Sequence, residues 1–159
     1  MLKIITRMAA LILVCVSAYS HAEPTATVQL SSTNVNVGDV VTGQVWLSDF
    51  PQTQGGSFTV KFPKKILKVE SVTVDDQTWN IAANPGVVNV KKGKIKNVAF
   101  ASFPGPSGNV LAATIEFSVI GKGKGHIKLK PSGANPFAGG GELIDVSYGS
   151  TKLKSKNKK

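Results

Sequence analysis

From residue 26 onward, apolar side chains recur at every second position in short runs, and the runs are separated by Gly, Pro, Asn, Asp and Ser. That period belongs to half-buried strands joined by turns, and no stretch sustains the 3.6-residue period of an amphipathic helix. The spacing predicts strands over 26–31, 40–48, 57–62, 67–74, 87–90, 95–101, 111–120, 126–130 and 144–153. Nine short strands at these intervals imply an all-β fold, a sandwich of two packed sheets. In the second run Val41, Val45 and Leu47 share a face. Phe58, Val60 and Phe62 do so in the third, and Ile115, Phe117 and Val119 in the seventh, which marks all nine as core. The other face of the third run carries Ser57, Thr59 and Lys61, polar groups that cost little to leave in water and are available to a partner.

Turn residues agree with these limits. Asn36-Val37-Gly38-Asp39 opens the second strand, Gln54-Gly55-Gly56 opens the third, and the Pro/Gly-rich segment 104–109 blocks regular pairing between the sixth and seventh. The glycine-rich segment 133–141 reads as a flexible loop with Phe137 tucked against the sandwich. A phosphate cradle is the competing reading, but no helix start follows these glycines, as such a cradle requires. There is no internal repeat.

The N-terminus has a different pattern. Lys3 and Arg7 precede the apolar run 9–16, and the small residues Ser17, Ala18, Ser20 and Ala22 follow it, the order of a secretory signal peptide. Cleavage after Ala22 leaves one domain starting near Glu23, and no membrane span is expected to remain, because the apolar run falls short of the roughly 20 residues a bilayer requires. Export implies a periplasmic, secreted or cell-surface location. Cys15, the single cysteine, leaves with the signal, so the domain has no disulfide and no thiolate chemistry.

Charge then changes the picture at one end. The whole chain is +10, and beyond the signal every basic residue is a lysine. Five of these 17 lysines lie in the last eight residues, Lys152, Lys154, Lys156, Lys158 and Lys159. The expectation is a sandwich over 23–153 with a basic, disordered tail over 154–159, solvated or, as the second reading, drawn to an anionic surface, glycan or nucleic acid. Specific nucleic-acid reading is not expected, because it relies on bidentate arginines and stacked aromatics that the tail lacks.

Catalytic residues are scarce. The body has one histidine, His126, without a cysteine or an obvious acid beside it, and its acids are scattered except for Asp75-Asp76. Adjacent strand residues face opposite sides, so that pair does not converge as an acid and base and fits the turn before Trp79 instead. No enzyme and no metal site is expected.

Five segments together are similar to the cohesin modules: 35–45 (VNVGDVVTGQV), 56–62 (GSFTVKF) followed by 66–69 (ILKV), 93–102 (GKIKNVAFAS), 108–119 (GNVLAATIEFSV) and 148–153 (YGSTKL). The chain departs from that family at Pro63-Lys64, where an aspartate-proline pair is usual. The resemblance implies a nine-stranded jelly-roll sandwich, related in fold to carbohydrate-binding modules, that binds a calcium-loaded dockerin on one sheet. It implies no cofactor of the domain's own; a calcium ion stays open as an alternative here, with the partner as its preferred carrier. The family's partner sheet is built from the third, fifth, sixth and eighth strands. Carried onto this sequence, the outward candidates are Ser57, Thr59 and Lys61, then Asn89, then Asn97 and Ala99, and finally His126, Lys128 and Lys130. The function implied is a non-catalytic, dockerin-binding module in extracytoplasmic assembly linked to polysaccharide degradation. Two alternatives stay open. One is a carbohydrate-binding domain, for which Trp46, pointing opposite to Val45 and Leu47, is the glycan contact. The other is a structural part of an envelope assembly joined by strand-edge pairing.

Overall fold

The computed structural model describes residues 22–158, and the expected signal peptide lies almost wholly outside them. Two sheets face each other. The smaller is ordered β13 (Ser147–Tyr148), β1 (Thr25–Leu30), β3 (Val40–Phe50), β9 (Gly108–Val119), β5 (Leu67–Val74), antiparallel except where β1 meets β13. The larger has nine strands. Its main path runs from β2 (Asn34–Asn36) through β14 (Ser150–Lys156), β10 (Gly123–Pro131) and β4 (Gly55–Lys61) to β8 (Lys94–Ala101). Two short strands, β6 (Ala82–Asn84) and β7 (Val87–Asn89), share the far edge of β8, and the hairpin of β11 (Ala138–Gly139) and β12 (Glu142–Leu143) lies beside the start of β4.

The alternation predicted the core faces correctly. Val41, Val45, Leu47, Phe58, Val60, Phe62, Ile115, Phe117 and Val119 are all buried, and Phe62 meets Phe117 across the sandwich with ring centroids 5.9 Å apart. Burying an aromatic of this size contributes on the order of 2–3 kcal/mol, so these facing rows are what hold the two sheets together. Phe137 does tuck in. It is 2% exposed and touches Phe50 and Phe100 with centroids at 5.2 and 5.8 Å. Gly56 makes room for it, since a Cβ there would sit 2.5 Å from the Phe137 ring. Asp75 and Asp76 form the expected turn, with the Trp79 amide donating to the Asp75 carbonyl at 2.9 Å.

Three expectations need correction. The described residues contain fourteen strands, not nine, because short segments at 34–36, 82–84, 138–139 and 142–143 pair along edges and the last run divides into β13 and β14 around Gly149. Residues 154–156 are not a disordered tail. They continue β14 and pair in parallel with β2, Lys154 with Asn34, Ser155 with Val35 and Lys156 with Asn36. The cause is their own period of two: Leu153 and Ser155 point inward and are buried while Lys152, Lys154 and Lys156 point out. The third is Ser57, which is buried on the outer side of β4 and does not face solvent.

Candidate partner-binding face

The outer face of the larger sheet is built by strands whose inward residues pack the core. On β10, Ile127 and Leu129 are buried, so Lys124, His126, Lys128 and Lys130 project outward and are exposed. On β4, burial of Phe58 and Val60 leaves Thr59 and Lys61 half-exposed on the outer side. On β8 the alternation is broken. Ile95 and Val98 are both fully buried although three residues apart, and the pairing with β4 shifts between Phe58 and Val60. A bulge at Lys96-Asn97 absorbs the extra residue, with Asn97 at φ 55°, a left-handed conformation that asparagine tolerates better than most residues. Lys96, Asn97 and Ala99 therefore all lie outward.

Of the predicted contact residues, Thr59, Lys61, Asn97, Ala99, His126, Lys128 and Lys130 share this face. Pairing places Lys128 beside Lys61 and Lys61 beside Lys94. Asn89 sits next to Lys94 at the β7 edge, where its Oδ1 accepts from the Lys92 amide at 3.0 Å and caps the turn that follows. Ser57 is the exception. It is 1% exposed, and its hydroxyl donates to the Asn135 carbonyl at 2.6 Å and accepts from the Asn135 amide at 3.2 Å. The loop pinned by Phe137 covers the upper end of β4, so Ser57 anchors the loop and offers nothing to a partner. Asn97 is tied to the same loop through the Ser132 hydroxyl, which donates to it at 2.7 Å.

Charge is what the strand-by-strand reading missed. Lys61, Lys94, Lys96, Lys124, Lys128, Lys130, Lys152, Lys154 and Lys156 all stand on this face, and β2, β4, β6, β7, β8, β10 and β14 contain no acid. The signal was present in the alternating lysines of β14, but their density suggested a solvated terminus. Crowding has an electrostatic consequence: Lys130 first, then Lys94, pull the Lys61 ammonium below the usual lysine range by like-charge repulsion. One basin, lined by Thr59, Lys61, Lys94, Lys96, Asn97 and Lys130, lies at the centre of this field. His126 has no carboxylate on either neighbouring strand, and among the described residues no group of three or more His, Cys, Asp or Glu could hold a metal ion.

Trp46 lies elsewhere, half-buried on the outer face of the smaller sheet, where its indole donates to Gln44 at 3.3 Å. The remaining described aromatics are buried apart from Tyr148, half-buried, and Phe103, 66% exposed in the loop before β9. No aromatic row forms a sugar-stacking platform among the described residues.

Two stacked sheets with this strand order, one flat face open and the other end closed by a loop, can be compared with solved structures. A non-cellulosomal cohesin from the hyperthermophilic archaeon Archaeoglobus fulgidus superposes with a TM-score of 0.69 over 86% of this chain and 93% of its own, at 18% identity. The fold is that of a cohesin module. A second match is the cohesin module of a Clostridium perfringens family 33 glycoside hydrolase, with a TM-score of 0.68 at 10% identity over 86% of this chain and 98% of that one. A third comes from a type I cohesin–dockerin complex of Clostridium thermocellum, with a TM-score of 0.63 at 18% identity over 83% and 99%. No protein-family model and no curated protein matches the sequence. The likeness to cohesins is therefore one of fold.

Proposed function

We propose that this chain is an exported, non-catalytic binding module of cohesin type, which takes a dockerin-type protein partner on the outer face formed by β10, β4, β8 and β7. The observation that carries this reading is the cohesin fold itself, seen also in a solved cohesin in complex with a dockerin, together with a face whose strands are backed by the core and whose outward side chains, Ser57 apart, reach solvent. A binding surface built on strands rather than loops is held in place by packing and needs little ordering on association. The mature domain begins near Glu23 after removal of the signal peptide and acts outside the cytoplasm. Calcium belongs to the partner, because the face supplies lysines and amides where a hard cation needs several oxygen ligands. The scattered acids, and a histidine without a carboxylate beside it, favour binding over catalysis.

The test is capture with a chelator step. Exported proteins of the source cell are passed over immobilised protein in calcium, washed, and eluted with EGTA. One discrete species released by EGTA, and no longer retained by a Thr59→Arg/Ala99→Arg variant, supports the proposal. Retention that ignores both chelator and variant would contradict it.

A further inference from the structure

At the edge of that protein-binding surface, β14 and β2 extend the larger sheet past β10, and a cleft that shares His126 with it opens there. It has a volume of about 420 Å³ and is lined by Thr33, Asn34, Lys124, His126, Lys152 and Lys154. Strand pairing sets Lys124 opposite Lys154 and His126 opposite Lys152, with Lys154 opposite Asn34, so three ammonium groups, an imidazole, an amide and a hydroxyl converge on one shallow hollow. Gly125 sits between Lys124 and His126 on the strand that floors the cleft.

We infer that this cleft binds a sugar unit of a linear acidic polysaccharide, its carboxylate held by the lysines and its hydroxyls by Asn34, Thr33 and His126. The composition separates this ligand from others. A neutral glycan would need stacked aromatics, and the outward positions of β10 and β14 have none. A nucleic acid would be expected to use arginine and aromatic faces, which are also missing. A protein interface core is depleted in lysine, because a strongly hydrated ammonium on a flexible stem is costly to dry, and the cleft, unlike the β7 edge with its exposed Val87 and Val88, offers no exposed bulky apolar anchor among Lys124, Lys152 and Lys154. A hydrated polyanion can use such cations without drying them. The ligand is extended because the basic ground continues: along β10 the next outward residue is Lys128, which pairs with Lys61, and Lys61 pairs with Lys94. Neighbouring strands are about 4.8 Å apart, and outward residues on one strand about 6.8 Å, so charges recur on the scale of successive sugars. Mutual repulsion within that row, felt most at Lys61, is relieved when an anion lies over it.

Binding of the purified protein to polygalacturonate, poly-L-glutamate, duplex DNA and cellulose is measured by biolayer interferometry at low and moderate salt. The expected result is saturable binding to polygalacturonate that weakens with salt and no retention on cellulose. Lys152→Gln/Lys154→Gln should weaken polygalacturonate binding at least tenfold. Gln29→Glu/Thr73→Glu, the same change in net charge on the opposite sheet, should leave it within twofold. Asn34→Ala/His126→Ala should weaken polygalacturonate at least fivefold while leaving poly-L-glutamate unchanged, which separates sugar recognition from charge. Circular dichroism verifies that each variant keeps the β spectrum. Equal affinity for DNA or poly-L-glutamate, or equal loss in the two charge-matched variants, would overturn the inference. The cleft shares His126 with the proposed partner face, so EGTA-sensitive capture is measured on the Lys152→Gln/Lys154→Gln variant, which leaves the strands of that face unchanged, and the two readings fail separately.

Discussion

The outer faces of the two sheets follow the same alternating rule and have opposite chemistry. On the smaller sheet, charges are few, and all but Asp49 have a partner. Glu70 accepts from the Ser118 hydroxyl at 2.6 Å and from Lys68 at 3.0 Å, and Glu116 accepts from Ser71 at 3.0 Å. The larger sheet carries nine lysines on β4, β8, β10 and β14, and its one strand carboxylate, Glu142, is on β12, which pairs only with β11. The inward residues of both sheets are alike in kind, nearly all apolar and buried, with Ser155 of β14 a polar exception. The fold is thus specified from inside, while the outward positions, nearly neutral for folding, are free to differ and determine what each face can bind.

The contrast can be broken from the largest effect to the smallest. Phe117→Ala on β9 removes a fully buried ring shared by both sheets and should cost about 3–5 kcal/mol in chemical denaturation. A neutral result would mean its side chain is not between them. Deleting 154–159 removes the pairing of β14 with β2, including the bonds from the Lys154 amide to Thr33 and from the Val37 amide to Lys156. At about 0.5–1.5 kcal/mol net per hydrogen bond, the melting temperature should fall by at least about 5 °C. An unchanged Tm would restore a frayed tail.

The subtlest effect is in pH, where the two faces should respond in opposite regimes. Lys61 binds protons less readily folded than unfolded, so its repulsion weakens the fold at neutral pH, and stability should rise as pH climbs towards the ordinary lysine value. Lys61→Met should raise the neutral Tm and flatten that rise. Glu70 is held below the usual carboxylate range, first by the Ser118 hydroxyl and then by Lys68. Its contribution is present above the unfolded pKa and is lost as pH falls through the folded one, so Glu70→Gln should blunt the acid-side loss. Both groups are solvent-exposed, so the effects are small and show best as differences between variant and wild-type Tm profiles. Identical profiles would remove the electrostatic distinction between the faces.

Much of this is legible in the sequence. Period-two apolar runs marked the core side of β3, β4 and β9, and the resemblance of segments such as 93–102 and 108–119 to cohesins pointed to the fold the superpositions show. What stayed hidden depended on long-range placement. Nothing local says that Phe137, some 80 residues downstream, will fill the space over Gly56 and carry a loop across Ser57. The bulge at Asn97 is invisible to alternation because it is a failure of alternation. The end of the chain was misread for a different reason: Leu153 and Ser155 alternate with lysines as a strand should, but lysine's usual preference for solvent outweighed the pattern. Once those residues join the sheet, charge that looked like a tail becomes one side of a surface.

The central claim is that a partner docks on the outer face of the larger sheet. Hydrogen exchange of the protein, alone and with the EGTA-releasable species bound, tests it directly. The account predicts new protection over 57–61, 87–89, 94–101 and 126–130 with none over β1, β3 or β5; protection confined to the smaller sheet would contradict it.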